Sequence, residues 1–399
     1  MPPTECEKPD LFQGWPIYEQ DEVDAVTEVL LSGKVNYWTG EVCTQFERAF
    51  CQFIGTRFGV AVANGTVALE IALIALGIGA GDEVIVPSRT FVASVSVISA
   101  CGAQPVFADV DPESQNINLE SIKSLITSRT KAIILVHLAG WPCDIEPVLV
   151  LAKTHNIKII EDCAQAHGAT YNGRQIGGLG DVSAFSFCND KIISTGGEGG
   201  MILTNDQDIW KKFWEYKDHG KCYNKVFHHQ HPPGFKWLVD SIGTNGRLTE
   251  MQAAIGLRQL IKLPGWLKTR RRHAAMLNEA FRKIHILRTT EPSTKYGHSY
   301  YKYYVFVRPE RLGTGWSRER IMESICDKGV PCSSGSCPEV YLEKVFDVNG
   351  CRPANRLPVA KELGETSLMF PVHPTLSNQA IMRMIEVVSE VCAEAGLVR

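Results

Sequence analysis

The chain contains no run of about 18 uninterrupted apolar residues, so nothing in it reads as a membrane-spanning helix. Residues 67–76 form the most apolar helical stretch, and they are too few. It has no CxxC pair among its 13 cysteines and no apolar leader-like segment at the N-terminus. An odd, scattered set of thiols argues for reduced cysteines in a cytoplasm rather than a disulfide framework. There is no basic excess: the formal net charge is −3, which excludes the usual electrostatic footprint of nucleic-acid binding. Internal repeats and low-complexity segments are absent too. What remains is ordinary globular composition: 399 residues, 44% hydrophobic and 21% charged, enough for a large core and for two or three domains.

Residues 60–206 alternate short β-branched runs with helical stretches. Strand-like runs fall at 60–63, 83–86, 105–110, 131–137, 157–160, 182–187 and 200–204. Segments of helical length lie between them at 66–77, 91–101, 119–126 and 145–155. This alternation implies a mostly parallel sheet covered on both faces. The helix beginning at Thr66 carries only Glu70 as a charge, so it should be nearly all buried. Asn118 is placed to cap the helix that starts at Leu119. Residues 206–245 are rich in Lys, His, Trp, Tyr and Gly; they read as a helix near 207–217 followed by an irregular surface loop. Thr249 with Gln252 three residues later is a capping-box pattern opening a helix over 249–262. The basic run 268–273 (KTRRRH) reads as the continuation of that helix, with a solvated face. From about residue 285 a smaller second domain follows, with a strand near 301–307 and helices near 318–328 and 378–395.

Chemistry-bearing residues recur just beyond the strand-like runs, where open parallel sheets bind ligands. Asn64-Gly65-Thr66 follows the first run and opens a helix, where free N–H groups and the dipole favour a phosphate. Ser88 to Phe91 follows the second. Asp162 ends a buried run, and an unpaired carboxylate there would need a cation or several donors. Gln165 follows one helical turn later. Ser186 closes another run, and Lys191 lies five residues on, beside glycines 196, 197, 199 and 200. An acid, a phosphate-sized hydroxyl and an amine at neighbouring strand ends suit pyridoxal phosphate. The lysine would form the Schiff base and the acid would hold the pyridinium proton. Each residue also has a plainer reading. Gly65-Thr66 would be an N-cap turn, Asp162 a helix cap, Ser186 a backbone partner and Phe91 a core ring. The loop 228–231 (HHQH) has a metal-like look, but no fourth ligand is apparent, and no metal is expected.

At this point the residues resemble a known family, the DegT/DnrJ/EryC1/StrS pyridoxal-phosphate sugar aminotransferases of the aspartate-aminotransferase fold (fold type I). The matching segments include NGTVALEIALIALGIGAGDEVIVPSRTFVAS, PVFADVD, IIEDCAQAHGA, GDVSAFSF, DKIISTGGEGGMILTND, GTNGRLTEMQAAIGLRQL and FPVHPTLS. They span about 60–376, most of the chain, and their joint pattern is highly specific. The resemblance implies an α/β fold. Its large cofactor domain, with an N-terminal arm and a mostly parallel sheet flanked by helices, would cover 1–265. A small C-terminal α+β domain would cover 266–399. Lys191 would carry the cofactor and shuttle protons. Asp162 would pair with the pyridine nitrogen, and Gln165 would lie against the ring or its hydroxyl. Gly65, Thr66 and Ser186 would bind the phosphate, and Phe91 would stack on the ring. Asn245 would reach the cofactor of a neighbouring subunit, which implies a homodimer with shared sites. His219 and Arg247 are candidate substrate contacts. Two departures stand out. Gly246 replaces the aromatic usual between the Asn and Arg of the interface motif. The segment before Lys191 reads FCND, where many members carry an aromatic and a Pro or Thr.

The resulting expectation is a ping-pong aminotransferase working through a Lys191 Schiff base. It would take the amino group of L-glutamate and deliver it to a keto-sugar, most simply a nucleotide-linked keto-deoxysugar, at C3 or C4. Two rival readings use the same fold. One is a sugar dehydratase, which the presence of the lysine and the lack of cluster spacing among the cysteines disfavour. The other is a non-catalytic protein that binds the cofactor and a sugar nucleotide.

Overall fold

The computed structural model describes residues 11–396. Helices α1 (Gln20–Ser32) and α2 (Val42–Ile54) precede the sheet-forming region. Then follow β1 (Phe58–Val62), α3 (Gly65–Ala75), β2 (Glu83–Pro87), α4 (Ala93–Ala100) and β3 (Gln104–Ala108). The pattern continues with α5 (Leu119–Leu125), β4 (Thr130–Val136), α6 (Ile145–His155) and β5 (Lys158–Asp162). A two-strand ribbon, β6 (Thr170–Tyr171) and β7 (Arg174–Gln175), leads into β8 (Val182–Ser186) and β9 (Gly200–Thr204). The main sheet has the order β1-β9-β8-β5-β4-β2-β3. Only β9 runs against its neighbours. The other strands therefore deliver their carboxyl ends to one edge.

The strands are β-branched runs because both faces are covered. In β2, Val84 and Val86 pack into the core on one side of the sheet and Ile85 into the core on the other. A fully buried Val or Ile side chain is worth roughly 1.5–3 kcal/mol relative to exposure, so these alternating runs dominate the stability of the layer. Asn64 caps α3 by accepting from the N–H of Val67 at 2.9 Å, and Asn118 caps α5 by accepting from Ser121 at 3.0 Å. Six of the eleven residues of α3 are buried, fewer than its composition implies, and its lone acid, Glu70, accepts from the Tyr216 hydroxyl.

After α7 (Gln207–Lys217) the expected irregular loop includes a short helix, α8 (Tyr223–Phe227), whose Tyr223 and Phe227 rings pack on Trp214. Helix α9 (Glu250–Phe281) is 32 residues long and opens with the Thr249–Gln252 capping box. At 1.5 Å per residue it reaches roughly 48 Å. It passes Pro264 without ending, and the expected domain boundary at 265/266 falls inside it. Beyond it lie β10 (Leu287–Thr289), β11 (Tyr296–Gly297), β12 (Tyr303–Val307), α10 (Arg318–Asp327), α11 (Lys344–Val348), α12 (Pro358–Thr366), β13 (Ser367–Phe370) and α13 (Asn378–Ala395). Strands β10-β12-β13 form an antiparallel sheet, and its core joins Leu277 and Phe281 of α9 to α10 and α13. Strand β11 pairs instead with β6.

The basic run on α9 is not simply a solvated face. Arg270 and His273 are buried, and Arg270 donates to the carbonyls of Tyr300 and Tyr301. The residues just ahead of β12 cover this part of the face that the pattern marked as exposed, while Lys268, Arg271 and Arg272 stay exposed. Among the described residues no helix is long and apolar enough to cross a membrane.

Candidate active site

The carboxyl ends of the parallel strands open into a cavity of about 650 Å³, closed on one side by the C-terminal region. Gly65, Thr66, Phe91, Asp162, Gln165, Ser186 and Lys191 all line it. Residues spread over more than a hundred positions meet here because each follows a strand whose end faces the same way.

One corner is built from backbone. With Asn64 satisfying the N–H groups of Val67 and Ala68, those of Gly65 and Thr66 have no intrahelical partner. A Cβ on Gly65 would stand 2.7 Å from Cβ of Ser186, so only glycine lets the helix end approach β8 this closely. Gly200 serves the same contact from β9, where an added Cβ would lie 2.5 Å from the Asn64 carbonyl carbon. The result is two N–H groups at a helix N-terminus beside a serine hydroxyl, a cradle for an anion.

The second corner is Asp162, 5% exposed at the end of β5. Its Oδ2 accepts from Ser94 Oγ at 2.7 Å and its Oδ1 from the N–H of Ala164 at 3.1 Å. Burial pushes this carboxyl above its usual range. Among the described residues no cation lies within ion-pair distance of it, so the acid is held by dipoles and still lacks a positive partner. The residues after it form turns rather than the expected helix. Gln165 therefore does not sit a helical turn onward. Its Oε1 accepts from the N–H of Ala139 at 2.7 Å, which fixes the side chain against the cavity wall.

The neighbouring acid belongs to the scaffold. Glu161 is fully buried and accepts from the N–H groups of Gly177, Leu179 and Gly180 and from His137 at 3.1 Å. Because Cys143 N–H donates to His137 Nδ1, it is His137 Nε2 that carries the proton toward Glu161. Burial alone would raise the Glu161 carboxyl, but His137 and the amides outweigh it and hold it below its usual range.

At the third corner, Lys191 Nζ stands 3.5 Å from the Tyr301 hydroxyl and 3.5 Å from Asp190 Oδ1. Trp15 of the N-terminal arm donates to the Lys191 carbonyl at 2.6 Å. Tyr301 donates a short hydrogen bond to Asp190. Burial and the adjacent Asp190 push the tyrosine hydroxyl far up, so it stays a donor. Phe91 is 64% exposed at the cavity mouth and is no core ring.

Three sequence candidates lie elsewhere. Asn245 and His219 are exposed, and Arg247 donates to Asp218 at 2.9 Å; none of the three lines the cavity within one chain. Conversely, Ser94, Asp190, Tyr301 and Lys302 line it and went unread. Asp190 was signalled by its place beside Lys191, and Lys302 by a charge interrupting the aromatic run YYKYY. Nothing local pointed to Ser94.

Comparison with known proteins places the chain in a family and a fold. The DegT/DnrJ/EryC1/StrS aminotransferase family model matches residues 16–389. The chain is 37% identical over 356 residues to a GDP-perosamine synthase of Caulobacter vibrioides, covering 88% of this chain and 90% of that one. It is 34% identical over 376 residues to a dTDP-3-amino-3,6-dideoxy-alpha-D-galactopyranose transaminase of Aneurinibacillus thermoaerophilus, covering 93% and 95%. The crystal structure of an aminotransferase from Psychrobacter cryohalolentis superposes with a TM-score of 0.94 at 52% identity, covering 96% of this chain and 99% of that one.

Proposed function

The chain belongs to the DegT/DnrJ/EryC1/StrS aminotransferase family, which makes it a pyridoxal-phosphate-dependent sugar aminotransferase, and we propose that it moves the amino group of L-glutamate onto a nucleotide-linked keto-deoxysugar in two ping-pong half-reactions. The nucleotide-linked acceptor follows the names of the relatives, which are GDP- and dTDP-sugar enzymes.

The observation that carries the residue roles is the meeting of an anion cradle, a buried acid without a cation and an amine in one cavity. Pyridoxal phosphate presents a phosphate, a basic ring nitrogen and a carbonyl, which match these three corners. When bound, the cofactor supplies the electron sink that lets a proton leave the amine-bearing carbon. Gly65 and Thr66 N–H with Ser186 Oγ hold its phosphate. Asp162 keeps the proton on its ring nitrogen, and Ser94 and Ala164 hold that carboxylate in its charged form. Phe91 would stack on the ring, and Gln165 would lie against the ring or its hydroxyl. Lys191 Nζ is the covalent tether and, when released, the base that takes a proton from one carbon and returns it to another.

We place Asn245, with His219 and Arg247 near it, in the site of a second subunit, making the enzyme a homodimer with shared sites. The support is the exposure of Asn245 and His219, together with that of Phe235, Trp237 and Ile242 on the same loop, which are 80%, 81% and 89% exposed. Every described cysteine is free, in keeping with a cytoplasmic protein.

The visible spectrum of the purified enzyme tests this reading. The band of bound cofactor should be lost on adding L-glutamate, with 2-oxoglutarate appearing, and should not form in Lys191→Ala. A band indifferent to L-glutamate refutes the donor, and a normal band in Lys191→Ala refutes the tether.

A further inference from the structure

Around Lys191 two lysines share one acid, and a buried arginine has no acid partner among the described residues. Lys302, at the start of β12, lines the cavity with its side chain 21% exposed. Its nearest carboxylate is Asp190, at 3.9 Å, the outer edge of an ion pair. Asp190 is also the partner of Lys191, at 3.5 Å, and accepts from Tyr301. Arg270 lies behind them, fully buried. Its one bonded nitrogen serves the carbonyls of Tyr300 and Tyr301, and no carboxylate among the described residues lies within ion-pair distance of it. Lys191 and Lys302 thus share one carboxylate, and Arg270 has none. The cavity's other acids, Asp162 and Glu198, pair with none of them. Burial, with Arg270 and Lys191 nearby, lowers the Lys302 ammonium. Burial, with Arg270 and Lys302, pushes His373 down to about 3, so that ring contributes no further charge. A mostly desolvated ammonium that only shares a distant acid is costly, and an incoming anion relieves that cost.

We propose that Lys302 is the binding site for a carboxylate of the amino donor, a reading that deepens and rests on the assignment of an amino-acid donor above. Two substrate anions fit the chemistry: a carboxylate of the donor or the diphosphate of the acceptor. Position decides between them. Lys302 and Lys191 flank the same Asp190 carboxylate, so an anion on Lys302 lies beside the reacting amine. An amino acid carries a carboxylate on, or a short arm away from, the carbon that bears its nitrogen. In a keto-sugar nucleotide the pyranose ring stands between the reacting carbonyl and the diphosphate. Asp190 acts as the stand-in that neutralises Lys302 until the donor arrives.

The probe is glutarate, which has the donor's carboxylates and no amine, titrated calorimetrically into the holoenzyme. Lys302→Met should weaken glutarate by at least about tenfold, the worth of one charge-assisted hydrogen bond. The KM for L-glutamate should rise in parallel, with the cofactor spectrum and nucleoside diphosphate affinity unmoved. Lys302→Arg should recover most of the loss. Unchanged glutarate affinity in Lys302→Met overturns the proposal, and so does a loss of diphosphate affinity in place of glutarate. If Lys302→Met does not fold, the wild-type holoenzyme decides: glutarate should protect Lys302 from acetylation, read by peptide mass, and absence of protection overturns it. The donor reading fails separately, if the holoenzyme binds glutarate through Lys302 yet releases no 2-oxoglutarate from L-glutamate.

Discussion

Ser94→Ala removes one of the two hydrogen bonds that Asp162 receives. The acid is 5% exposed, and the lost donor stands 2.7 Å from Oδ2, leaving only the Ala164 amide at 3.1 Å on the other oxygen. Loss of a donor to a buried charged group costs about 1–3 kcal/mol, which is between about five- and 150-fold in an equilibrium constant. Thr90 Oγ1, 2.9 Å from Ser94 Oγ, loses its partner as well, while water entering from the cavity offsets part of both losses. The expected result is cofactor affinity about tenfold weaker. The direction with pH follows from burial, which already raises the Asp162 carboxyl while Ser94 opposes it. Without Ser94 the carboxyl rises further, so the acid limb of cofactor binding moves to higher pH. The assay is a titration of apoenzyme with pyridoxal phosphate, followed by absorbance across pH, with the apoenzyme melting temperature as a check on folding. Wild-type affinity with an unmoved acid limb would refute the view that Ser94 keeps Asp162 charged for the ring nitrogen.

Two further outcomes are expected. The Glu161 carboxyl lies below its usual 4.5 in the folded protein, so its stabilisation is complete above that value and is lost as pH falls through the folded one. Disturbing the hydrogen bonds of such a buried carboxylate costs about 1–3 kcal/mol; the gap in urea midpoint between wild type and Glu161→Gln should therefore be widest near neutrality and narrow in acid, and a constant gap would count against the linkage. For the shared site, Lys191→Ala and Asn245→Ala should each be nearly inactive, and co-refolding them in equal amounts should restore about a quarter of wild-type activity through hybrid dimers with one intact site. No recovery would place Asn245 in its own subunit's chemistry or outside it.

The strands of the main sheet were legible to within a residue or two, because a strand buried on both faces must be a run of Val, Ile and Ala, whereas the short β6, β7, β10, β11 and β13 left no such run. The caps at Asn64, Asn118 and Thr249 were legible because a cap bonds a residue only three positions away. The basic run on α9 was read only in part, with Lys268, Arg271 and Arg272 exposed but Arg270 covered by Tyr300, Tyr301 and Trp15, because a charge pattern carries no record of which neighbour covers it. The α8 turn was missed because its helix is held by rings packed on Trp214 rather than by its own periodicity.

The chain by itself determined the class of sheet, the edge at which ligands bind, and the acid, hydroxyl, glycine and lysine that stand there. Those properties depend on residue type and on order along alternating strands and helices. Only the tertiary structure decided what each group faces. Ser94 meets Asp162 across 68 positions, and Tyr301 returns from the small domain to Lys191 across 110. Asn245 lies outside the cavity of its own chain, while Lys302 stands inside it and shares a single acid with Lys191. Contacts of this kind are made by packing between distant elements, and packing leaves no period or motif in the residues that it joins.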